Sequence, residues 1–115
     1  MTASSVSQAD PVSFNFNVAH VGTIQANLLE LASRLDFSVG QEVDDLEERD
    51  VAYLQLSEGF HFYLSKYKSR PPGETEVFFA SRLNDWEVRL EEICVALDIS
   101  ASGLLWKNIA YMKTP

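Results

Sequence analysis

An apolar ladder of six residues constrains the fold of this chain more than any other feature. Its members are Phe79, Leu83, Trp86, Leu90, Ile93 and Leu97. Successive members lie three or four residues apart, the spacing that keeps side chains on one face of an α-helix. Charged side chains fill the positions between them: Asp85, Glu87, Arg89, Glu91 and Glu92. The pattern predicts a long amphipathic helix from about residue 75 to residue 98.

The residues before Pro71-Pro72-Gly73 fit two different structures. A helix would bring six large apolar side chains near one face: Leu46, Tyr53, Leu56, Phe60, Leu64 and Tyr67. A β-hairpin would pair two runs rich in aromatic residues around Ser57-Glu58-Gly59. Acidic residues cluster at 42–50 and basic residues follow at 66–70, which is the order of charges that a helix dipole favours. We therefore predict a helix, with a β-hairpin at about 51–64 as the alternative.

The N-terminal third carries shorter patterns. Residues 1–10 are small and polar, which indicates a flexible tail. A helix that ends by Gly40 is indicated by a stripe of four apolar residues: Ile24, Leu28, Leu31 and Leu35. Asp10-Pro11 would begin a helix as the N-cap and first-turn proline. Apolar residues alternate with polar ones from Val12 to Val18 and favour a strand instead, so residues 12–20 fit either structure.

Together these segments predict an all-α fold, a small helical bundle with a long helical hairpin around Pro71-Pro72-Gly73. A short last helix from Ser100 to about Met112 would complete the bundle. Residues 11–115 would then form a single helical domain. The alternative is an α+β fold that contains the β-hairpin.

Composition and charge exclude several classes of protein. The net charge of −8 over 115 residues argues against general nucleic-acid binding, which depends on basic side chains that neutralise phosphates. Cys94 is the single cysteine, so an internal disulfide and a cysteine-based metal site are excluded. The N-terminus lacks the pattern of a signal peptide, and no apolar run is long enough to span a bilayer. These features predict a cytoplasmic protein of bacterial type.

Motifs that indicate catalysis are missing from the sequence. It contains no glycine-rich phosphate loop, no nucleophile elbow and no pair of histidines at helical spacing. The acidic residues at 42–50 lack the glycine and the spaced oxygen ligands of an EF-hand loop. We therefore predict that the protein is not an enzyme and holds no cofactor or metal.

Residues 90–105 resemble the helix-turn-helix of bacterial regulators. Cys94 is a small residue three positions before Leu97, and Ile99-Ser100 matches the end of the usual Leu-Gly-Ile-Ser turn. Asp98 stands where that turn has glycine. The resemblance implies an alternative function, a DNA-binding transcriptional regulator that uses residues 90–112.

Aromatic residues on both sides of Pro71-Pro72-Gly73 exceed what one face of a helix can hold. Aromatic anchors with a charged rim are typical of protein-binding hot spots. We predict that seven residues bind a partner: Phe62, Tyr63, Lys66, Arg70, Phe78, Leu104 and Trp106.

The predicted function is a non-catalytic regulatory protein that blocks another protein, such as a transcription factor or a toxin, through an aromatic helix surface. Anti-activators, antitoxins, immunity-type inhibitors and chaperone-like adaptors are proteins of this type. The same surface leaves a homodimer open. A membrane and a nucleic acid are not among the predicted partners.

Overall fold

The computed structural model describes residues 5–44 and 46–109. Within these ranges the chain forms seven β-strands: β1 (Val6–Gln8), β2 (Val18–Gln25), β3 (Gly40–Asp44), β4 (Glu47–Leu56), β5 (His61–Tyr67), β6 (Glu74–Ala80) and β7 (Leu104–Lys107). It also forms two α-helices, α1 (Leu28–Leu35) and α2 (Trp86–Ala96), and short 3₁₀ helices at Pro11–Ser13 and Ala101–Gly103. No helix in the described ranges has the length and apolar character needed to cross a membrane.

All seven strands belong to one antiparallel sheet. The strand order is β1-β4-β5-β6-β2-β7, and β3 pairs with β4 as well. Strands β3 and β1 pair with the same edge of β4. Strand β3 pairs with the first half of β4, and β1 pairs with its second half. Strand β2 lies between β6 and β7, so β7 ends the sheet on the side opposite to β1 and β3.

Both α-helices pack on one face of the sheet, called here the helix face. Alternate residues of β5 and β6 are buried there: Phe62, Leu64, Val77 and Phe79. The helices contribute the apolar side chains that cover them: Leu28, Leu31, Trp86, Leu90 and Ile93. This cluster is the hydrophobic core, and neither α1 nor α2 packs on the other face of the sheet.

The predicted all-α bundle is wrong, because the described residues form a seven-stranded antiparallel sheet with two α-helices. The apolar ladder is divided between two elements. Phe79 lies in β6, where burial alternates along the strand with period two, and Trp86 begins α2. Residues 81–85 separate them, and Arg82 has a φ of 66°, which an α-helix does not allow. The ladder therefore marks five buried positions and the partly buried Leu83, but it assigns all six to one helix, although Phe79 lies in a strand and Leu83 in the segment before α2.

Residues 51–64 form the β-hairpin and not the helix that we preferred. Strands β4 and β5 pair around a turn in which Gly59 has a φ of 93°, a conformation that favours glycine. The charges that suggested a helix dipole pair across the sheet instead. Lys68 Nζ lies 2.9 Å from Glu48 Oε2, and Asp50 lies opposite Lys66 in the strand register.

In the N-terminal third, too, strands replace part of the predicted helix. The helix predicted from the apolar stripe is confined to α1, while Ile24 lies in β2. The open segment 12–20 contains the end of a 3₁₀ helix and the start of β2, and Asp10 caps that 3₁₀ helix through its side chain. Strand β1 pairs with β4, so ordered structure begins inside the segment predicted as a tail.

The predicted last helix is replaced, as far as residue 109, by the 3₁₀ helix at Ala101–Gly103 and by β7. Residues 110–112 lie outside the described residues. The first half of the helix-turn-helix pattern does form. The backbone N–H of Ile99 donates to the carbonyl of Cys94 at 2.8 Å, and Asp98 takes the left-handed φ of 60° that usually requires glycine. A second helix does not follow it within the described residues.

Candidate functional site

A row of aromatic rings crosses the face of the sheet on which neither α1 nor α2 packs. The row consists of Tyr53 on β4, Tyr63 on β5, Phe78 on β6, His20 on β2 and Trp106 on β7. The first four are direct neighbours in the strand register, Tyr53 opposite Tyr63, Tyr63 opposite Phe78 and Phe78 opposite His20. We call these five residues the aromatic row and this side of the sheet the aromatic face.

The rings of the aromatic row touch in sequence. Tyr63 and Phe78 stack with centroids 4.7 Å apart and planes 3° from parallel. Phe78 and His20 stack at 5.0 Å, and the ring of His20 lies 4.8 Å from that of Trp106. Aromatic pairs at such distances stabilise each other beyond their buried area, so the row holds its own geometry.

The segment between β1 and β2 closes one end of the row. It crosses the aromatic face, and Phe14 places its ring 5.0 Å from that of Tyr53 and 6.1 Å from that of Tyr63. The 3₁₀ helix just before Phe14 is fixed by Asp10, whose carboxylate accepts the backbone N–H of Val12 at 3.0 Å. Tyr63 is buried as a result.

A hydrogen bond and an ion pair, both to Glu42, stabilise this closed end. Tyr53 donates its hydroxyl to Glu42 Oε2 at 2.7 Å, and Arg49 donates from Nη2 to Glu42 Oε1 at 2.9 Å. The guanidinium carbon of Arg49 also lies 5.4 Å from the centre of the Tyr63 ring. Burial, together with the hydrogen bond to Glu42, raises the pKa of Tyr53 to about 12. The phenol therefore stays protonated at neutral pH and keeps donating to Glu42.

The other end of the row is open and adjoins a groove of about 500 Å³. Seven residues line this groove: His20, Thr23, Arg70, Glu74, Glu76, Leu105 and Trp106. Leu105 and Trp106 each keep 47 % of their surface exposed. We call this site the Trp106 groove.

His20 connects the aromatic and charged parts of the Trp106 groove. Its Nε2 lies 3.0 Å from the carbonyl oxygen of Gly22, which only accepts, so Nε2 carries the proton. Burial lowers the pKa of His20 below its usual value of 6.5, against the opposing attraction of Glu76. Glu76 Oε2 lies 3.9 Å from His20 Nε2 and 3.6 Å from Arg70 Nη2.

Gly22 allows β7 to approach closely enough for Trp106 to reach His20. A Cβ at position 22 would lie 3.1 Å from Leu90 Cδ2 and 3.1 Å from the backbone oxygen of Trp106. The register of β2 against β6 also shifts between His20 and Gly22, as in a β-bulge. The bulge and the missing side chain together position the last strand of the sheet.

The described residues offer few groups for catalysis or for a metal. No group of three or more histidine, cysteine, aspartate or glutamate side chains within the described ranges is arranged to hold a metal ion. Burial raises the pKa of Cys94 to about 11, so its thiol is protonated at neutral pH and is a poor nucleophile. A second cleft of about 380 Å³ lies beside α1, but Arg34 on its wall already donates to the carbonyl of Leu97 at 2.6 Å.

The structure brings together four of the seven residues predicted to bind a partner. Tyr63, Phe78 and Trp106 belong to the aromatic row, and Arg70 lines the Trp106 groove. The other three do not join them. Phe62 is wholly buried on the helix face, Leu104 is partly buried against the same core, and Lys66 donates to the carbonyl of Tyr67.

Sequence reasoning did not find His20, Tyr53 and Glu76 as parts of this site. A usable signal was present in β6, where Glu74, Glu76 and Phe78 alternate with buried residues. Read with period two, that alternation places carboxylates and an aromatic ring on one face of a strand. The pairing of β2 with β6, which brings in His20, has no local signal because it joins residues far apart in the chain.

Comparison with known proteins does not assign a family. The chain matches no protein-family model, no curated protein and no solved structure.

Proposed function

We propose that this domain is a non-catalytic regulatory module that binds an extended segment of another protein at the open end of the aromatic row. The observation that carries the proposal is the exposure of Trp106 beside a groove. Tryptophan is the residue type most enriched at binding hot spots, and a partner would bury its exposed half. This proposal keeps the predicted protein partner but places the binding surface on strands rather than on a helix.

The two ends of the aromatic row differ in a way that supports this site. Phe14 covers the closed end, whereas the described residues place no side chain over Trp106 and Leu105 in the same manner. Contact with the His20 ring, whose centroid lies 4.8 Å away, holds the Trp106 ring in place before a partner arrives. Binding to a preorganised ring loses less conformational entropy than binding to a mobile one.

Strand β7 supplies a second means of recognition. It is the last strand of the sheet on its side, with no pairing strand beyond it among the described residues. An edge strand offers unpaired backbone groups to an extended peptide, and alternate side chains of that peptide then lie over the aromatic face. A partner segment held there is withdrawn from its other interactions, which is how such a module would regulate it.

Site-specific photo-crosslinking tests this proposal. Trp106 is replaced by p-benzoylphenylalanine in the cells that produce the protein, and Val88 is replaced in a matched variant. Val88 is exposed on α2, on the opposite side of the sheet. We expect a protein adduct from position 106 and none from position 88, and we expect Trp106→Ala to lower recovery of the same partner.

An adduct of two copies of this chain at position 106 would also support the proposal and would identify a homodimer. Adducts from position 88 alone, or from neither position, would contradict it.

The second candidate function is nucleic-acid binding. In this case β7, which lies within residues 90–112, would contact the nucleic acid in place of a recognition helix. The exposed ring of Trp106 beside His20 on an antiparallel sheet favours this function, because single-stranded bases stack on exposed aromatic rings of such sheets. The net charge of −8 opposes it. Fluorescence anisotropy with a labelled single-stranded oligonucleotide of mixed sequence distinguishes the two candidate functions. Binding that weakens steeply as salt is added, and that also weakens in Trp106→Ala, would favour nucleic-acid binding.

A further inference from the structure

We infer that the partner segment is basic and that one of its lysine or arginine side chains lies in the Trp106 groove, between the Trp106 ring and the carboxylates of Glu74 and Glu76. This inference rests on the proposed function and adds the chemistry of the partner to it. Three features of the groove support this inference: the two carboxylates, the negative charge that remains after Arg70 pairs with Glu76, and the exposed ring of Trp106.

The carboxylates come from one strand. Glu74 and Glu76 lie two positions apart on β6, so both project from the aromatic face, about 7 Å apart along the strand. Glu76 has 12 % of its side chain exposed, so its charge lies in the floor of the groove rather than in bulk solvent. Charges in such concave sites are screened less than charges on a convex surface.

The negative charge in the groove is only partly neutralised. Arg70 lies 3.6 Å from Glu76, but half of its side chain is exposed and it comes from the loop before β6. Among the described residues Glu74 forms no ion pair. Burial lowers the pKa of His20, so its ring adds little positive charge to the groove at pH 7. The groove therefore keeps a surplus negative charge, and the whole chain adds −8 in the same sense.

The exposed ring adds a recognition element that suits a cation. Trp106 lines the groove together with both carboxylates. The face of an indole ring attracts an ammonium or guanidinium group, and the aliphatic part of a lysine or arginine side chain packs on the same ring. A neutral apolar side chain would use the ring but leave the carboxylates without a partner.

Three blocked peptides provide the probes. Each has nine residues in which Thr alternates with one test residue, Lys, Gln or Glu, and fluorescence anisotropy measures binding to the full chain at low salt. We expect the Lys peptide to bind at least 10-fold more tightly than the Gln peptide, and the Glu peptide to bind most weakly. Trp106→Ala should weaken both the Lys and the Gln peptide.

Charge variants show whether the preference arises in the groove. Glu74→Gln should weaken the Lys peptide about 3- to 10-fold and leave the Gln peptide unchanged. Glu91→Gln removes the same charge from an exposed position on α2 and should leave both peptides unchanged. Arg70→Gln should tighten the Lys peptide, because it releases Glu76 from its pairing with Arg70.

The outcomes separate this inference from the proposed function. Equal binding of the Lys and Gln peptides, with both lost in Trp106→Ala, would overturn the basic partner and leave the site in place. Equal weakening by Glu74→Gln and Glu91→Gln would overturn the groove as the origin of the preference. Absence of binding by all three peptides at millimolar concentration would overturn both.

Discussion

The two faces of the sheet bury their aromatic rings by different means. On the helix face, Phe62 and Phe79 are wholly enclosed by side chains of α1 and α2. On the aromatic face, Tyr63 and Phe78 stack on each other, and Phe14 covers only one end of the row. The helix face therefore contains the closed hydrophobic core of the domain, while the aromatic face keeps an exposed aromatic ring at a defined place.

The largest expected difference between the faces is in stability. Phe62→Ala leaves a cavity in a closed core and should lower the free energy of unfolding by about 3–5 kcal/mol. Phe78→Ala removes a ring that is only partly buried, so the free energy of unfolding should fall by less, about 1–2 kcal/mol. Urea denaturation measures both. Equal losses would show that the aromatic face is also a closed core.

A smaller effect concerns the closed end of the aromatic row. Tyr53→Phe removes the hydroxyl that donates to Glu42 at 2.7 Å, and it should lower the free energy of unfolding by about 1.5–3 kcal/mol, the range for a hydrogen bond to a charged group. Glu42→Gln should cost a comparable amount, because it also weakens the ion pair with Arg49.

The double variant of Tyr53 and Glu42 is the control for that bond. Its loss should be clearly less than the sum of the two single losses, since the residues act on one hydrogen bond. Additive losses in urea denaturation would indicate that the two side chains stabilise the closed end independently.

The smallest expected effect is the pH dependence contributed by His20. Burial holds its folded pKa below the unfolded value, so the unfolded chain binds more protons between these two values. The contribution of His20 to the free energy of unfolding is fully present above about pH 6.5, and it is lost as the pH falls toward the pKa of His20 in the folded chain. Glu76 and Arg70 face the ring and act in opposite directions.

His20→Gln tests this dependence because glutamine keeps a donor for the carbonyl of Gly22 but does not titrate. Between pH 7.5 and pH 5.5, the free energy of unfolding of the native chain should fall more than that of the variant. A parallel decrease in the two proteins would mean that His20 titrates with the same pKa in the folded and unfolded chains.

Much of the core could be predicted from sequence, although its secondary structure could not. The ladder from Phe79 to Leu97 does identify buried positions. It misassigns Phe79 because residues spaced by three and four fit a helix even where a strand ends and a helix begins. The charges at 42–50 and 66–70 were equally ambiguous, since a helix dipole and cross-strand pairs such as Glu48 with Lys68 both bring opposite signs together.

The candidate site was only partly predictable for a different reason. Phe62 and Phe78 were the aromatic residues that fitted the helical stripes least. The sheet buries Phe62 in the core on the helix face and stacks Phe78 on Tyr63. His20 and Trp106 join the same row only through the pairing of β2 with β6 and β7. Such long-range pairing depends on the whole topology and leaves no pattern within a short window of sequence.

Amide hydrogen exchange, with and without a saturating amount of the peptide that binds most tightly, shows whether a partner segment binds at the open end of the aromatic row. The sheet has two edges that serve as mutual controls, β7 on one side and β3 on the other. We predict slower exchange at Leu104–Lys107 and no change at Gly40–Asp44 or in α1 and α2. Protection confined to β3 or to the helices, or no protection at all, would contradict the assignment of binding to the open end of the aromatic row.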